Sequence, residues 1–442
     1  MTSRSGAVSV PYHRGSDLLA LGFGITVSMW AIGYVCRFPG MDTPAWLLMA
    51  LLLGCLAAGG WAAGRFAGHG PVAAARVGLL AGALNLLVLG SLLSGGEAPN
   101  SIVPAAVWWL PGSLLVAATL TALGSLAGRA PAAGAPPLAR HGLPVFAGVA
   151  AAATFLLLVA GGIVTGSEAG LAVTDWPNSY GYNMFLYPLS RMTGGIYYEH
   201  VHRLLGSLVG LTTLVLTVHI WRTDPRAWLR RLALAALALV IAQGLLGGLR
   251  VTGHFTLSDD PTVTRPNLWL AVVHGITGQM FFGAMVALTA LTTQGWRAAA
   301  PVASEGGARG DRRLSVILLA LILVQLTLGS LLRHTDAALH LHITMAVAVL
   351  GVGIALGARL ALRRGDVPPL KRLGHGFLHG LSIQFILGFA ALFARNLTAE
   401  DGGPHAADVI ITTFHQATGA LLLALAVLAV VWTRRLLRPE SD

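Results

Sequence analysis

The stretch Gln325-Leu-Thr-Leu-Gly-Ser-Leu-Leu-Arg333 is similar to an earlier stretch of the chain, Gln243-Gly-Leu-Leu-Gly-Gly-Leu-Arg250. A shorter one, Gln384-Phe-Ile-Leu-Gly388, resembles both. Each lies in an apolar segment that comes just before a second apolar segment with a histidine in it. Glycine in such a run lets two helices approach closely, and glutamine can hydrogen-bond from one membrane helix to another. The repeated unit is therefore a pair of helices used four times, which predicts two four-helix bundles.

Four histidines follow this repeat: His202, His274, His342 and His415. The first and third are 140 residues apart, and the second and fourth are 141 apart. Each lies near the same end of its apolar segment. Two imidazoles that face each other within a helical bundle can be the axial ligands of a six-coordinate heme iron. The spacing therefore predicts two bis-histidine heme sites, one in each bundle.

Other roles for these histidines are less well supported. A single histidine in a span commonly hydrogen-bonds to a neighbouring helix, but four at matched depth are harder to explain in this way, because ionisable groups there are costly and usually functional. A zinc or copper site is disfavoured because no cysteine and few carboxylates accompany the histidines. His340 is an alternative to His342 as a ligand, but it faces another side of the helix, and only His342 fits the 140-residue spacing.

Composition places the chain in a membrane. Of its 442 residues, 55% are hydrophobic and only 11% are charged, against about 25% charged in soluble proteins. Apolar runs of about 20 residues, long enough to cross a bilayer as helices, recur along the whole length. We predict an all-α integral membrane protein with about twelve spans, roughly at 16–36, 43–64, 74–94, 104–127, 143–163, 200–221, 231–250, 267–293, 314–332, 338–360, 374–394 and 407–433.

The spans divide the chain into successive regions. We expect an N-terminal four-helix block at 1–128, whose residues do not indicate its role, and an Ala/Pro/Gly-rich cytoplasmic linker at 129–142. The first four-helix bundle would follow at 143–296, a cytoplasmic loop at 297–313, and the second bundle at 314–442.

The net charge of +11 follows the ends of the spans. Arginines such as Arg65, Arg222 and Arg434 lie at alternate ends, and acids such as Glu168 and Asp336 lie at the opposite ends. This positive-inside pattern predicts that both termini are cytoplasmic and that the acidic loops are outside. The basic balance therefore reflects topology, with the lipid bilayer and not nucleic acid as the partner.

One carboxylate distinguishes the two bundles. Glu199 comes three residues before His202 and shares its helical face, whereas Leu339 stands three residues before His342. A carboxylate at the rim of a heme pocket can act as a base or position a reacting water. The alternative to this catalytic role is a structural one, in which the Glu199 carboxylate bonds to Arg203 or to a loop amide. The asymmetry favours one heme as a substrate and the other as a cofactor.

A glycine-rich outer stretch, residues 161–177, continues toward Glu199. It is too polar for a span and too apolar for an idle linker, so we expect it to cap the first bundle and cover a ligand; re-entrant packing is the alternative. The arginines nearby could bind heme propionates, and ordinary solvation in a loop explains them equally well. The candidate contacts to heme propionates or to the cap are Arg203, Arg250, Arg333, Asp175 and Trp176.

These residues resemble the heme A synthase family. The resemblance rests on Gly166-Ser-Glu-Ala-Gly-Leu-Ala-Val-Thr-Asp-Trp-Pro177, on Glu199-x-x-His202-Arg203 and on Arg333-His-Thr335, and it covers about residues 143–433. It implies oxidation of the C8 methyl group of heme O to a formyl group, through a hydroxymethyl intermediate, for cytochrome oxidase assembly. It also implies a bacterial-type cytoplasmic (inner) membrane location.

The resemblance further implies roles for single residues and partners. His202 and His274 would flank the substrate heme O, His342 and His415 would bind a heme b cofactor, and Glu199 would serve catalysis. Heme O synthase and cytochrome oxidase assembly factors would be partners, and the sequence does not identify the electron acceptor. The four N-terminal helices are additional to the eight-helix core of the family.

Two other functions fit the residues. One is a di-heme b electron-transfer protein that exchanges electrons with quinone and leaves heme unaltered. The other is a heme chaperone or transporter that binds heme O without changing it. Glu199 and the long stretch over the first bundle favour the enzyme, because a purely electron-transferring pair would not need that asymmetry.

Overall fold

The apolar runs form helices throughout the computed structural model, which describes residues 15–95, 98–129, 137–252, 261–302, 307–395, 397 and 403–438. Twelve helices in these ranges are long and apolar enough to cross a membrane. No β-strand occurs in the same ranges; the extended contacts are isolated bridges. The prediction of an all-α, multi-pass integral membrane protein with about twelve spans is confirmed.

The helices follow one another in three groups. The first group is α1 Ser16–Cys36, α2 Ala45–Ala67, α3 Pro71–Leu93 and α4 Ala106–Ala127. The second group, named here the first bundle, is α5 Pro137–Gly166, α6 Gly194–Thr223, α7 Ala227–Val251 and α8 Pro261–Thr292. A short α9, Gln294–Ala298, leads to the second bundle, which is α10 Ala308–Thr335, α11 Leu339–Ala358, α12 Pro368–Ala394 and α13 Ala406–Leu436. A π-helical turn, Arg359–Arg363, extends α11.

Backbone chemistry marks the helix ends. Gly68, left-handed at φ +67°, ends α2, and a proline in the first turn begins both α3 and α12. Proline suits this position because its missing N–H would have no partner there. Between α10 and α11 only three residues remain, and two of them, Asp336 and Ala338, have positive φ. The second bundle therefore has a tight turn where the first has a long connection.

Each bundle closes into a ring of four helices. In the first, α5 packs against α6 and α8, and α7 packs against both α6 and α8. The second repeats this order with α10, α11, α12 and α13. The two rings meet where α13 contacts α5 and α8 and where α10 contacts α8. The N-terminal block packs on this pair through α1, which lies along α5. In such a ring α6 faces α8 diagonally, and α11 faces α13.

The structure revises part of the predicted outer stretch. Residues 161–166 were expected in the loop, yet they form the last turns of α5. Glycine is disfavoured in isolated helices, but Gly161 and Gly162 are needed here because side chains of other helices, His202 and Gln416, come within 3.0 and 3.1 Å of the position of a Cβ atom. The connection between α5 and α6, named here the cap, is therefore residues 167–193.

Two other predicted connections fall partly beyond the described residues. In the expected linker 129–142, residues 130–136 lie outside the described ranges and residues 137–142 already belong to α5. In the expected loop 297–313, residues 303–306 lie outside them, and α10 begins at Ala308.

The end of the molecule opposite the cap is rich in arginine and is named here the basic side. Asp224, between α6 and α7, pairs there with Arg226 at 2.7 Å and with Arg297 at 2.5 Å. Burial by itself would raise the pKa of Asp224, but hydrogen bonds and charge from Arg226, together with the charge of Arg297, lower it. Asp311 of the second bundle similarly pairs with Arg359 and Arg364. Each bundle thus has one buried aspartate that holds two arginines.

Candidate functional site

His202 and His274 face each other inside the first bundle. His202 lies two turns into α6, and His274 lies on the diagonal helix α8. Their ring centres are 6.4 Å apart and the ring planes make an angle of 74°. Their side chains thus converge from opposite walls of the ring of helices, below the cap.

His342 and His415 repeat this arrangement in the second bundle. They lie on the diagonal helices α11 and α13, with ring centres 6.3 Å apart and an angle of 68° between the planes. His340, the alternative to His342, is exposed. The structure thus brings together the two pairs that the sequence spacing singled out.

The separation within each pair suits a shared metal ion. Two bonds between a metal and an imidazole nitrogen, about 2 Å each, span about 4 Å, and about 1.2 Å from each nitrogen to its ring centre completes the distance. That sum matches the 6.4 and 6.3 Å between ring centres. The described residues contain no group of three or more His, Cys, Asp or Glu side chains suited to a metal ion. Two nitrogen ligands on opposite sides, with no third ligand nearby, fit the axial positions of a heme.

Glycines make room for all four rings. Each ring lies against a glycine of the preceding helix, where a Cβ atom would come within 3.0 to 3.6 Å of the imidazole Cε1. The pairs are Gly161 with His202, Gly247 with His274, Gly329 with His342, and Gly388 with His415. The sequence signal was present in the repeated Gln-x-x-x-Gly stretches, but the assignment of each glycine to a histidine required the structure.

Glu199 and Arg203 hold the cap against α6. Glu199 is 4% exposed; one carboxylate oxygen accepts from Arg203 at 2.7 Å, and the other accepts from the backbone N–H of Val173 at 2.9 Å. Arg203 also donates to the carbonyls of Val173, Asp175 and Asn178. Both alternatives for the carboxylate named from the sequence, a bond to Arg203 and a bond to a loop amide, occur together. The pair fixes the cap above the first histidine pair.

Asp175 and Trp176 shape the cap itself. The Asp175 carboxylate accepts from the backbone N–H groups of Tyr180 and Gly181, at 2.7 and 2.9 Å, and so closes a turn. The Tyr180 hydroxyl donates to the carbonyl of Ala172. Burial, and then the charges of Glu199 and Asp175, raise the pKa of Tyr180, which keeps this donor protonated. The Trp176 indole packs on Gly248 of α7, where a side chain would overlap it.

The two remaining candidate arginines lie apart. The Arg250 guanidinium lies under Gly170 of the cap, and its Nε atom is buried without a hydrogen-bond partner in the described part of the chain. Arg333 lies 3.6 Å from Asp408 and close to Gly166, between the two bundles. Arg250 thus has a buried donor without a partner among the described residues.

The N-terminal block also contacts the cap and the start of α6, which the sequence did not indicate. The rings of Tyr34 and Tyr197 stack with centres 5.9 Å apart, and the Tyr197 hydroxyl donates to the carbonyl of Tyr34 at 2.7 Å. The Asn100 side chain accepts from the backbone N–H of Asn183 in the cap at 2.6 Å. The block thus supports the cap from the side.

Comparison with known proteins identifies this region. A search of curated proteins finds no match. A family model, COX15-CtaA, described as cytochrome oxidase assembly protein, matches residues 144–343. The matched segment runs from α5 to the first turn of α11 and contains His202, His274 and His342 together with the whole cap. The resemblance noted in the sequence is thus confirmed over this segment: residues 144–343 match the model of the COX15-CtaA family of cytochrome oxidase assembly proteins, the heme A synthase family.

Proposed function

We propose that the protein is a heme A synthase-like oxidoreductase, which converts the C8 methyl group of heme O to a formyl group through a hydroxymethyl intermediate. The observation that carries the proposal is the matched geometry of the two histidine pairs, 6.4 and 6.3 Å between ring centres, in a chain with the family segment. The family match supports a role in cytochrome oxidase assembly.

The first bundle is the proposed substrate site. His202 and His274 would hold heme O between them, and the cap would close over it. Arg250 is the candidate partner of a propionate, because its buried Nε has no other partner among the described residues and because guanidinium pairs well with carboxylate. Arg203, Asp175 and Trp176 would act through the cap, since their contacts are made within it or across it.

Glu199 is the proposed catalytic carboxylate. Nothing equivalent stands before His342, where Leu339 occupies the matching position. Its hydrogen bonds to Arg203 and Val173 fix its orientation at the rim of the first bundle. From there it would position water or accept a proton near the substrate edge, while the cap excludes bulk solvent.

The second bundle is the proposed cofactor site. His342 and His415 would ligate heme b, which supplies one-electron redox chemistry when it is bound. Arg333, paired with Asp408 near the junction of the bundles, is a candidate contact of a heme propionate. Heme O synthase and oxidase assembly factors are the proposed partners.

Co-expression with a heme O-producing enzyme tests the proposal. Hemes extracted from the purified full-length protein are identified by mass. We expect heme A or its hydroxymethyl precursor from the native chain, and only unmodified heme O from His202→Ala. If the native chain yields only unmodified heme, the enzymatic function is excluded, and a heme carrier or an electron-transfer protein is the function that remains.

We also propose that the basic side faces the cytoplasm of a bacterial-type inner membrane. Arginines concentrate on that side, while the cap carries Glu168 and Asp175. Reporter fusions at residue 442 and in the cap at Gly181 should read cytoplasmic and external, respectively. The reverse readings would contradict this orientation.

A further inference from the structure

The four histidine rings differ in what lies behind them. Each ring faces the backbone of the residue four positions before its glycine. In the first bundle these residues are Leu157 and Gln243, and in the second they are Gln325 and Gln384. The same position on four helices therefore carries glutamine three times and leucine once.

In the second bundle both glutamine side chains contact the rings. The Gln384 amide nitrogen lies 3.2 Å from Nδ1 and 3.3 Å from Nε2 of His415. The Gln325 amide nitrogen lies at the same distances from the two nitrogens of His342, and it also donates to the His342 carbonyl at 3.1 Å. The Oε1 atoms of both glutamines are buried and have no partner among the described residues.

In the first bundle neither ring has such a contact. Leu157 offers no polar side chain, and the Gln243 amide donates instead to the hydroxyl of Thr277. The Nδ1 atoms of His202 and His274 are both buried, and no side chain among the described residues bonds to them; only the backbone of Leu157 or Gln243 lies behind each ring. The bundles thus share the ligand geometry and differ in the support behind it.

This difference matters because a metal-bound imidazole keeps its proton on the other nitrogen. That N–H normally donates to a carbonyl or carboxylate oxygen, which fixes the ring and raises its basicity as a ligand. In the second bundle each glutamine amide, nearly equidistant from the two ring nitrogens, lies against the ring itself and adds to the backbone acceptor behind it. Gln384 is the simpler case, because Gln325 also donates to the His342 carbonyl.

We propose that Gln325 and Gln384 are positioning residues that retain a porphyrin in the second bundle, and that the lack of such support behind His202 and His274 lets the first bundle release one. The inference rests on the proposed function, in which the first bundle must exchange substrate for product and the second keeps its cofactor. On this proposal, a site that exchanges heme and a site that retains heme differ in side chains that do not themselves bind the iron.

The test measures heme release from the full-length protein in a His202→Ala background, which leaves one complete pair. Purified protein is loaded with hemin, and transfer to excess apomyoglobin is followed by absorbance. We expect Gln384→Leu to speed release by about 10- to 100-fold, the usual effect of losing such a partner. The midpoint potential should change as well, because the ring would no longer be held in one orientation on the iron.

Two further variants guard against misfolding. Gln384→Glu offers a stronger acceptor, so its midpoint potential should fall and its heme should be retained. Gln243→Leu is the matched control, since Gln243 occupies the equivalent position but its side chain bonds to Thr277 instead of a ring; release and potential should stay at the background values. In a His342→Ala background, Leu157→Gln should slow release from the first bundle.

Unchanged release and unchanged potential in both Gln384 variants would overturn the inference, as would an equal effect of Gln243→Leu. Those results would leave the proposed function standing, because the parent proteins would still bind heme through each pair. Failure of the native chain to take up hemin at all would instead refute the two-site function, and the inference with it.

Discussion

At the scale of single residues, the heme-binding geometry depends both on each histidine and on the glycine that leaves room for its ring. The His202 ring lies against Gly161, where even a Cβ atom would come within 3.0 Å of Cε1. Interiors are close-packed, so a larger side chain at this position must push the ring away. The ligand geometry therefore depends on the glycine of the neighbouring helix.

Gly161→Val should abolish heme binding in the first bundle and leave the second intact. The added methyl groups would occupy the position of the His202 ring. Heme content per chain, measured as the pyridine hemochrome after hemin loading, should fall from two to one. Gly210→Val on α6 is the control, because nothing lies within 4 Å of a Cβ atom there. Equal heme content in the two variants would contradict the role of Gly161.

Glu199→Gln should stop turnover while heme binding persists. The amide keeps the shape of the side chain but removes the charge that would serve as base, which is typically worth a factor of about 100 or more in rate. The measurement is the fraction of extracted heme that is oxidised after co-expression. Glu168→Gln, at an exposed glutamate at the start of the cap, is the control and should turn over normally. Normal turnover in Glu199→Gln would rule out a catalytic carboxylate.

At the scale of elements, the cap is fixed to α6 by a buried ion pair. The side chains of Arg203 and Glu199 are 9% and 5% exposed, and Arg203 also binds three carbonyls of the cap. Removal of one partner from such a pair leaves the other charge buried without compensation. The cap is therefore held by one connected set of hydrogen bonds and should open as a unit.

Arg203→Ala should loosen the cap by about 3 kcal/mol, the lower end of the cost of breaking a buried pair. Amide hydrogen exchange in residues 172–181 should accelerate by about a hundredfold, while the helices of the second bundle stay protected. Thr174→Ala provides the comparison, at an exposed position of the cap. Equal acceleration in the two variants would show that the ion pair does not hold the cap.

At the scale of the whole molecule, the N-terminal block is a lateral support for the first bundle. It packs along α5 through α1 and reaches both the cap and the start of α6. The matched family segment begins at residue 144 and does not include this block. Among the described helices, the block packs mainly against α5 and α6 of the first bundle and against the cap.

Tyr197→Phe should destabilise the protein by about 1 kcal/mol, because it removes the hydrogen bond to the buried carbonyl of Tyr34 and keeps the stacked ring. The midpoint of thermal unfolding in detergent should fall, with heme content per chain unchanged. Tyr198→Phe is the control, since Tyr198 contacts its neighbours through its ring. Identical midpoints for the two variants would argue against support by the N-terminal block.

Much of this molecule could be predicted from local patterns. Twelve spans followed from hydrophobic runs, because a backbone in lipid must satisfy its own polar groups within each helix. The spacing of the four histidines followed from duplication, which preserves distance along the chain. Resemblance of residues 166–177 and 199–203 to a family also needed no coordinates, and the family match to residues 144–343 confirmed it.

Only the tertiary structure decided which side chains meet. It placed His202 opposite His274 and His342 opposite His415, turned His340 outward, and engaged both oxygens of Glu199 with Arg203 and Val173. It also placed the side-chain amides of Gln325 and Gln384 against the rings of the second histidine pair. These facts depend on the rotation of each helix about its axis and on contacts between residues far apart in the chain, and hydrophobicity along one segment carries no information about either.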